Sequence, residues 1–571
     1  MIGTIFYPLS RIITAISLFF STLLGGGGFA AAVSTPAPSL EPLAYPAWTH
    51  QHWVWENESD DNQSREFVDG FTSRNIPVGV LNIDRPWDVE VGDFEPDEER
   101  YPQMKNLVDW CHAQDIKITL WTSCMINEDS KNFQYAKDNG YFLSNGKTLK
   151  WWGGVGAFID YSNPEAVTWW EGQMDKILDM GVDGWKLDGA DPYVMLLLPA
   201  YGKGGLMTWN KYQKLQYDHF YYYTKEKSNG QAVVWTRPTD DVVGWGLPLT
   251  FASREINFVG WVGDQDNDWG GLRGALNQMF TSSLFNYVSY GSDIGGFRSS
   301  PADNPEDVFT RWAQLGAFTP IMENGGGGEH RPWKYDEKRG DGKTTTTDIY
   351  RDYVNLHYRL IPYIQSQVSY SYEINQPTMR PTFGMYQYML GDDIFVAPFY
   401  KEGNDRSIVF PQGEWIYMFD ETKTYKAGVK TLNFPMDEFP AFIRKGAILP
   451  MGPESLDIAA DFTTVHVYPT GGSDSFALYE EGKKGSTLSY TQTGDALTLK
   501  STATDRPLLF RVYGRAISAT MSTEVKLDGT ALTETASLSS LKGQASGYCV
   551  EDGILWIAVK DAKAGAEITV K

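Results

Sequence analysis

The chain is read as an α/β protein, a (β/α)8 barrel followed by two C-terminal antiparallel β domains, and three observations predict it. From about Pro46, short apolar strands alternate with helical stretches, the pattern of parallel β/α units. Polar residues gather directly after the strand ends, where a barrel carries its functional rim. Beyond Pro377 the helices give way to short strands punctuated by turn residues, the pattern of antiparallel sheets.

The elements follow in order. Arg11 precedes the apolar run Ile12 to Leu24, and Phe29-Ala30-Ala31-Ala32 supplies small residues for cleavage, so residues 1–32 read as an export signal. The apolar run is shorter than the ~20 residues that cross a bilayer, although an uncleaved anchor is the alternative. Residues 33–45 are a linker rich in Pro, Ser and Ala. Eight strands are expected over 46–376, at Ala47–Trp55, Pro77–Asp84, Ile116–Trp121, Gly184–Asp188, Ala232–Thr236, Phe258–Gly263, Tyr287–Gly291 and Ala317–Met322. Between them lie helical stretches such as Pro102–Gln114, Pro164–Met180, Trp209–Ser228 and Pro305–Leu315. A doubly wound open sheet is the structural rival, but no Gly-rich phosphate loop follows the first strand. A proximal β domain is expected over 377–452 and a distal β-sandwich over 453–571.

Composition narrows the function. The net charge of -23 argues against nucleic acid, whose binders need a basic stripe that the sequence does not show, and fits a protein acting on a neutral substrate. Three cysteines are too few and too scattered for a disulfide framework or a zinc site, so no metal and no cofactor are expected. The chain carries 20 Trp, 32 Tyr and 29 Phe, rings that stack on sugar faces and equally fill cores.

The rim residues include two carboxylates suited to cleaving a glycosidic bond, which needs one group to attack or stabilise the sugar cation and another to give and later take a proton. Asp188 ends the strand in Gly181-Val-Asp-Gly-Trp-Lys-Leu-Asp188-Gly-Ala-Asp191. Lys186, two residues earlier, faces the same way; a cation there holds a carboxylate ionised and can bond sugar hydroxyls. Asp264 ends another apolar strand in Asn257-Phe-Val-Gly-Trp261-Val-Gly-Asp264, and Trp261 beside it is an apolar wall of the kind that raises a carboxyl pKa. The plainer reading makes each aspartate a helix cap or turn former.

These motifs resemble glycoside hydrolase family 31, and the resemblance runs from about residue 46 to 450. It continues through Tyr290-Gly-Ser-Asp293-Ile-Gly-Gly-Phe297, Arg311-Trp-Ala-Gln-Leu-Gly-Ala-Phe-Thr-Pro320, Tyr388-Met-Leu-Gly-Asp392-Asp-Ile-Phe-Val-Ala-Pro398 and Phe439-Pro-Ala-Phe-Ile-Arg-Lys-Gly-Ala-Ile-Leu-Pro450. The resemblance implies a retaining α-glycosidase with Asp188 as nucleophile and Asp264 as acid/base. It further implies that Asp84, Arg237, Asp293 and His330 bind the sugar. Each has a bland alternative: Asp84 pairing with Arg85, Asp293 capping a Gly-rich turn, His330 as a solvated loop residue. Three departures stand out. Asp191 replaces a Glu common in the family, Met322-Glu323-Asn324 replaces the usual Arg after the eighth strand, and the β-sandwich that usually precedes the barrel is not seen.

Ile118-Thr-Leu-Trp121-Thr and Trp151-Trp-Gly-Gly-Val-Gly-Ala157-Phe-Ile-Asp160 resemble the branch of the myogenesis-regulating glycosidase, associated with α-galactosides. That resemblance implies an α-galactosidase ahead of an α-glucosidase or α-xylosidase, with Trp121 and Trp152 as sugar-stacking candidates. Packing of the excursion onto the barrel is the competing role for the tryptophan pair. A non-catalytic sugar-binding protein of the same fold is the alternative from another class, and a lyase or transglycosylase shares the site.

Overall fold

The computed structural model describes residues 45–188, 200–240, 249–250, 252–298, 305–336, 344–452, 462–480, 483–513, 524–543 and 545–571. The export signal, nearly all of the linker and Asp191 therefore lie outside the described residues. Contacts divide the chain into two compact units, one containing Gln51–Asn355 and Phe399–Gly403, the other Leu356–Pro398 and Asn404–Lys571. Among the described residues, no helix is long and apolar enough to cross a membrane.

The first unit is the barrel. Its strands are His52–Glu56, Val80–Ile83, Lys117–Ser123, Gly184–Asp188, Val233–Thr236, Val259–Gly260 and Met322–Gly326, all paired in parallel. The sheet runs from Val259–Gly260 back through the earlier strands to His52–Glu56 and then to Met322–Gly326. The remaining gap is closed by residues 291–293, which form single parallel bridges at Trp261↔Gly291 and Asp293↔Glu323. The ring is thus continuous. The last strand begins at Met322, where an expected strand was to end, because the preceding helix continues to Gly316 and residues 317–321 turn before the chain enters the sheet. At the other end, Ala47–His50 form a short 3-10 turn and the first strand starts only at His52.

Helix starts are written locally. Asp60 accepts the Gln63 N–H at 2.9 Å while Gln63 Oε1 accepts the Asp60 N–H at 3.1 Å, a reciprocal cap for Asp61–Thr72. Asn163 caps Pro164–Leu178, with Pro164 in the first turn, where its missing N–H costs nothing. Thr208 and Asp268 cap Trp209–Lys227 and Trp269–Leu284. Most of the aromatic excess is core: Trp53, Trp55, Trp87, Trp170, Trp185, Trp235, Trp261 and Trp312 are fully buried, and Trp53 and Trp235 meet at 5.2 Å.

The second unit is β-rich. One six-stranded antiparallel sheet contains Met379–Pro381, Tyr388–Leu390, Ile394–Val396, Ala441–Arg444, Asp405–Tyr417 and Thr424–Asn433. Two further sheets follow, of five and six strands. The expectation of purely antiparallel sheets is corrected at one pair, Thr463–Val467 beside Leu508–Val512, which runs parallel. Parallel neighbours need a long crossover. Here the connection includes Gly472–Glu480, Lys483–Thr493 and Ala496–Ser501, all strands of the other sheet.

Buried acids give the fold a pH dependence. Burial raises the Asp88 carboxyl to about 8, and raises Glu56 to about 7 against the pull of Arg331. A carboxyl that titrates higher in the folded chain keeps a proton that the unfolded chain has released, so stability falls as pH rises. The buried histidines His219 and His330, lowered to about 4 by burial, change charge below the unfolded histidine pKa of ~6.5 and leave the higher range to the acids. The thermal midpoint is expected to drop between about pH 6.5 and 8.5, and Asp88→Asn to flatten that slope in a melting series. A midpoint that rises over the same range would contradict these assignments.

Candidate active site

The strand ends carry the site. Strands alternate side chains, so Lys186 and Asp188 leave the same face of Gly184–Asp188 while Trp185 and Leu187 leave the other. Asp84 follows the second strand and its Oδ1 accepts the Arg85 N–H at 2.9 Å. Arg237 follows the fifth strand. Gly263, at φ 89°, lets the chain turn just before Asp264 in a conformation that a side-chain residue rarely adopts.

One guanidinium joins the two predicted catalytic acids. Arg237 Nη2 donates to Asp188 Oδ1 at 3.0 Å and to Asp264 Oδ1 at 3.5 Å. The two oxygens are therefore separated by no more than the sum of those distances. That limit, set on one oxygen of each carboxyl, is compatible with the ~5–5.5 Å between the carboxyl groups of retaining glycosidases. The second oxygen of Asp188 accepts the Trp121 indole N–H at 3.3 Å. Two donors converge on Asp188, which favours its ionised form and fixes its orientation.

Asp264 differs. Burial raises its carboxyl pKa, Arg237 opposes that rise, and the neighbouring Asp188 charge adds to it. Its side chain still keeps 30% exposure against 16% for Asp188. One acid is held by donors; the other is poised to carry a proton, the separation of roles that acid–base catalysis requires.

Lys186 anchors the floor. It is nearly fully buried, bonds Asp84 Oδ2 at 2.8 Å, and lies 3.6 Å from the Trp55 ring centroid, 4.8 Å from Trp235 and 5.2 Å from Trp261. Burial would lower its pKa, but the Asp84 and Asp293 charges outweigh this and raise it. Lys186 stays charged. Asp84 thus pairs with Lys186 across the barrel, and its contact with Arg85 is to the backbone N–H.

Asp293 and Glu323 face each other as neighbours on adjacent segments, both fully buried. His330 is equally buried, so it is no solvated loop residue. Its Nδ1 sits 3.0 Å from the Ile294 carbonyl, which places the proton there, and burial keeps the ring neutral. Nε2 is left as an acceptor. Gly326, at φ 148°, makes room for it: a Cβ there would stand 2.8 Å from Nε2.

The tryptophans separate by role. Trp121 and Trp261 are 1% exposed; the first bonds Asp188, and the second lies 4.9 Å beneath the Arg237 guanidinium. Trp151 is buried and its indole donates to Asn127 Oδ1 at 2.8 Å, within a small sheet of Met125–Asn127, Leu149–Trp151 and Gly154–Phe158. Trp152 is 47% exposed and stands 5.9 Å from Trp121, a face open to a ligand. Sequence reading missed Trp55 and Arg85. The guanidinium of Arg85 lies 5.1 Å from the Trp152 ring and 5.8 Å from Trp121, and its only signal was its place directly after Asp84. Among the described residues, no group of three or more His, Cys, Asp or Glu side chains is arranged to hold a metal ion.

Comparison with known proteins bears on the family and the fold. The family model described as Glycosyl hydrolases family 31 TIM-barrel domain matches residues 42–367, and the Glycosyl hydrolase family 31 C-terminal domain matches 368–449. An α-xylosidase from Emericella nidulans is 26% identical over 444 residues, covering 72% of this chain and 54% of that protein. An α-xylosidase from Lactiplantibacillus pentosus is 28% identical over 471 residues, covering 77% of this chain and 59% of that protein. The chain thus spans little more than half the length of these relatives. The fold matches that of a Flavobacterium johnsoniae dextranase complexed with glucose, with a TM-score of 0.80 and 19% identity over 93% of this chain and 71% of that one. With the barrel model covering more than half of the sequence, the chain belongs to glycosyl hydrolase family 31.

Proposed function

We propose that the chain is a retaining, exo-acting α-glycoside hydrolase working by double displacement. The observation that carries this reading is Arg237 Nη2 shared between Asp188 and Asp264. Asp188 attacks the anomeric carbon while Asp264 protonates the departing oxygen. Water activated by Asp264 then breaks the glycosyl–Asp188 ester, and two inversions leave the α configuration unchanged. Arg237 and Trp121 hold the Asp188 carboxylate in line for attack. Asp84 and Lys186, with Asp293 and His330, supply acceptors and a donor for the sugar hydroxyls. Trp152 offers an exposed ring for stacking.

The expectation of an α-galactoside rested on the resemblance of the Trp121 and Trp151-Trp152 segments alone. The relatives described above are named as α-xylosidases, so an α-xyloside or α-glucoside takes precedence in this reading. The test is a set of p-nitrophenyl α-glycosides (xyloside, glucoside, galactoside and N-acetylgalactosaminide), followed by NMR of the first anomer released. Turnover of at least one with an initial α product is expected. A β product would overturn the retaining mechanism, and sugar binding without turnover of any would favour a non-catalytic binding protein.

A further inference from the structure

Two carboxyl groups that the double displacement does not use stand beside the site. Asp293 and Glu323 occupy matched positions on adjacent parallel segments, so their side chains leave the same face of the sheet. They are 1% and 0% exposed, and their carboxyl groups lie against each other, with the Trp55 indole also beside Glu323. The cation nearest to them in effect, Lys186, is already bonded to Asp84. Ionising both acids there would bury two unneutralised like charges, so the pair keeps a proton.

The surroundings agree. Burial and then the Glu323 charge push Asp293 well above the usual carboxylate range; burial raises Glu323 to about 7, with Lys186 pulling it back. Lys186 faces the pair from the fourth strand and Asp264 from beyond the sixth, while His330, neutral, follows the last strand. Asp84 is bonded to Lys186, the cation that faces the pair.

Resting on the glycosidase reading above, we propose that Glu323 is a specificity-determining residue which, paired with Asp293, admits a neutral terminal sugar and rejects an anionic one. A carboxyl pair holding one proton offers a donor and several acceptors, the complement of sugar hydroxyls, which both give and take hydrogen bonds. A carboxylate or sulfonate on the sugar only accepts, and brings negative charge against negative charge. The arginine that the family resemblance implies in the Met322-Glu323-Asn324 stretch would attract such a group; a glutamate there has the opposite sign. Arg85, over Trp152 and Trp121, is the rival signal, since a rim cation would welcome an anion.

The experiment compares kcat and KM for p-nitrophenyl α-glucoside and α-glucuronide across pH 6–8, for the intact chain and Glu323→Gln. The intact chain is expected to favour the glucoside by about 100-fold, the effect of one like-charge contact, and increasingly so as pH rises. Glu323→Gln is expected to narrow the preference by about tenfold through KM and to flatten its pH dependence. Equal or better use of the glucuronide by the intact chain, or an unchanged preference in a folded Glu323→Gln protein, would overturn the proposal. Should that variant not fold, the sign of the pH dependence in the intact chain decides alone. If neither glycoside turns over, calorimetric binding of glucose against glucuronate tests the preference instead, while the glycosidase reading stands or falls separately on the full p-nitrophenyl α-glycoside set.

Discussion

Replacing Asp188 by alanine is expected to lower kcat by on the order of 10⁴-fold or more while sugar binding persists. Without the carboxylate no glycosyl ester can form, and the remaining acid has nothing to complete. The variant should still fold. Arg237 keeps Asp264 at 3.5 Å, and the Trp121 indole loses only one acceptor at 3.3 Å. Azide added to the variant can enter the space of the missing carboxylate and attack from the same side, giving a β-glycosyl azide by a single inversion. In the intact chain, a covalent probe for retaining α-glycosidases should add its mass to the peptide containing Asp188. Labelling at another residue, or more than a few per cent of activity in Asp188→Ala, would remove Asp188 from this role.

Asp264→Ala is expected to show a different signature. For substrates with poor leaving groups, kcat/KM should fall by about 10²–10⁴-fold, the usual worth of a general acid. For a dinitrophenyl glycoside, whose leaving group needs no proton, the loss should be much smaller, and release of the glycosyl–Asp188 ester should become the slow step. Azide then attacks that ester and yields the α-glycosyl azide, the opposite anomer to the Asp188→Ala product. The basic limb of the kcat/KM profile should also disappear. Burial and the Asp188 charge raise the Asp264 pKa, so the intact chain keeps its acid form to higher pH than an ordinary aspartate. An unchanged basic limb in Asp264→Ala would assign the acid elsewhere.

The two catalytic candidates were legible because their signal is local. A short apolar run with an acid at or just past its end and a glycine next to that acid can be read along the chain. The barrel rule converts the strand end into a place in space, although the strand before Asp264 is only Val259–Gly260. Lys186 was legible for the same reason, since two-residue alternation puts it on the face of Asp188. The roles of the tryptophans were not. Trp151 and Trp152 are adjacent and chemically alike, yet one is buried against Asn127 and the other is 47% exposed. Only the pairing of Leu149–Trp151 with Gly154–Phe158 distinguishes them. The eighth strand was misplaced because Ala317 to Met322 is apolar enough for a strand, while the helix runs to Gly316 and the turn that follows it takes residues 317–321.

By itself, the sequence determined the barrel, the succession of β domains and the two acids at strand ends, because short-range periodicity and turn chemistry encode these. The tertiary structure alone decided what each acid faces. Arg237 lies 49 residues from Asp188 and 27 from Asp264, and Lys186 lies 102 from Asp84. Such pairings exist only once the ring closes and distant strand ends converge. The meeting of Glu323 with Asp293 has the same origin: nothing along the chain says that two acids 30 positions apart will share one face of adjacent strands, and their burial, not their identity, is what makes them hold a proton.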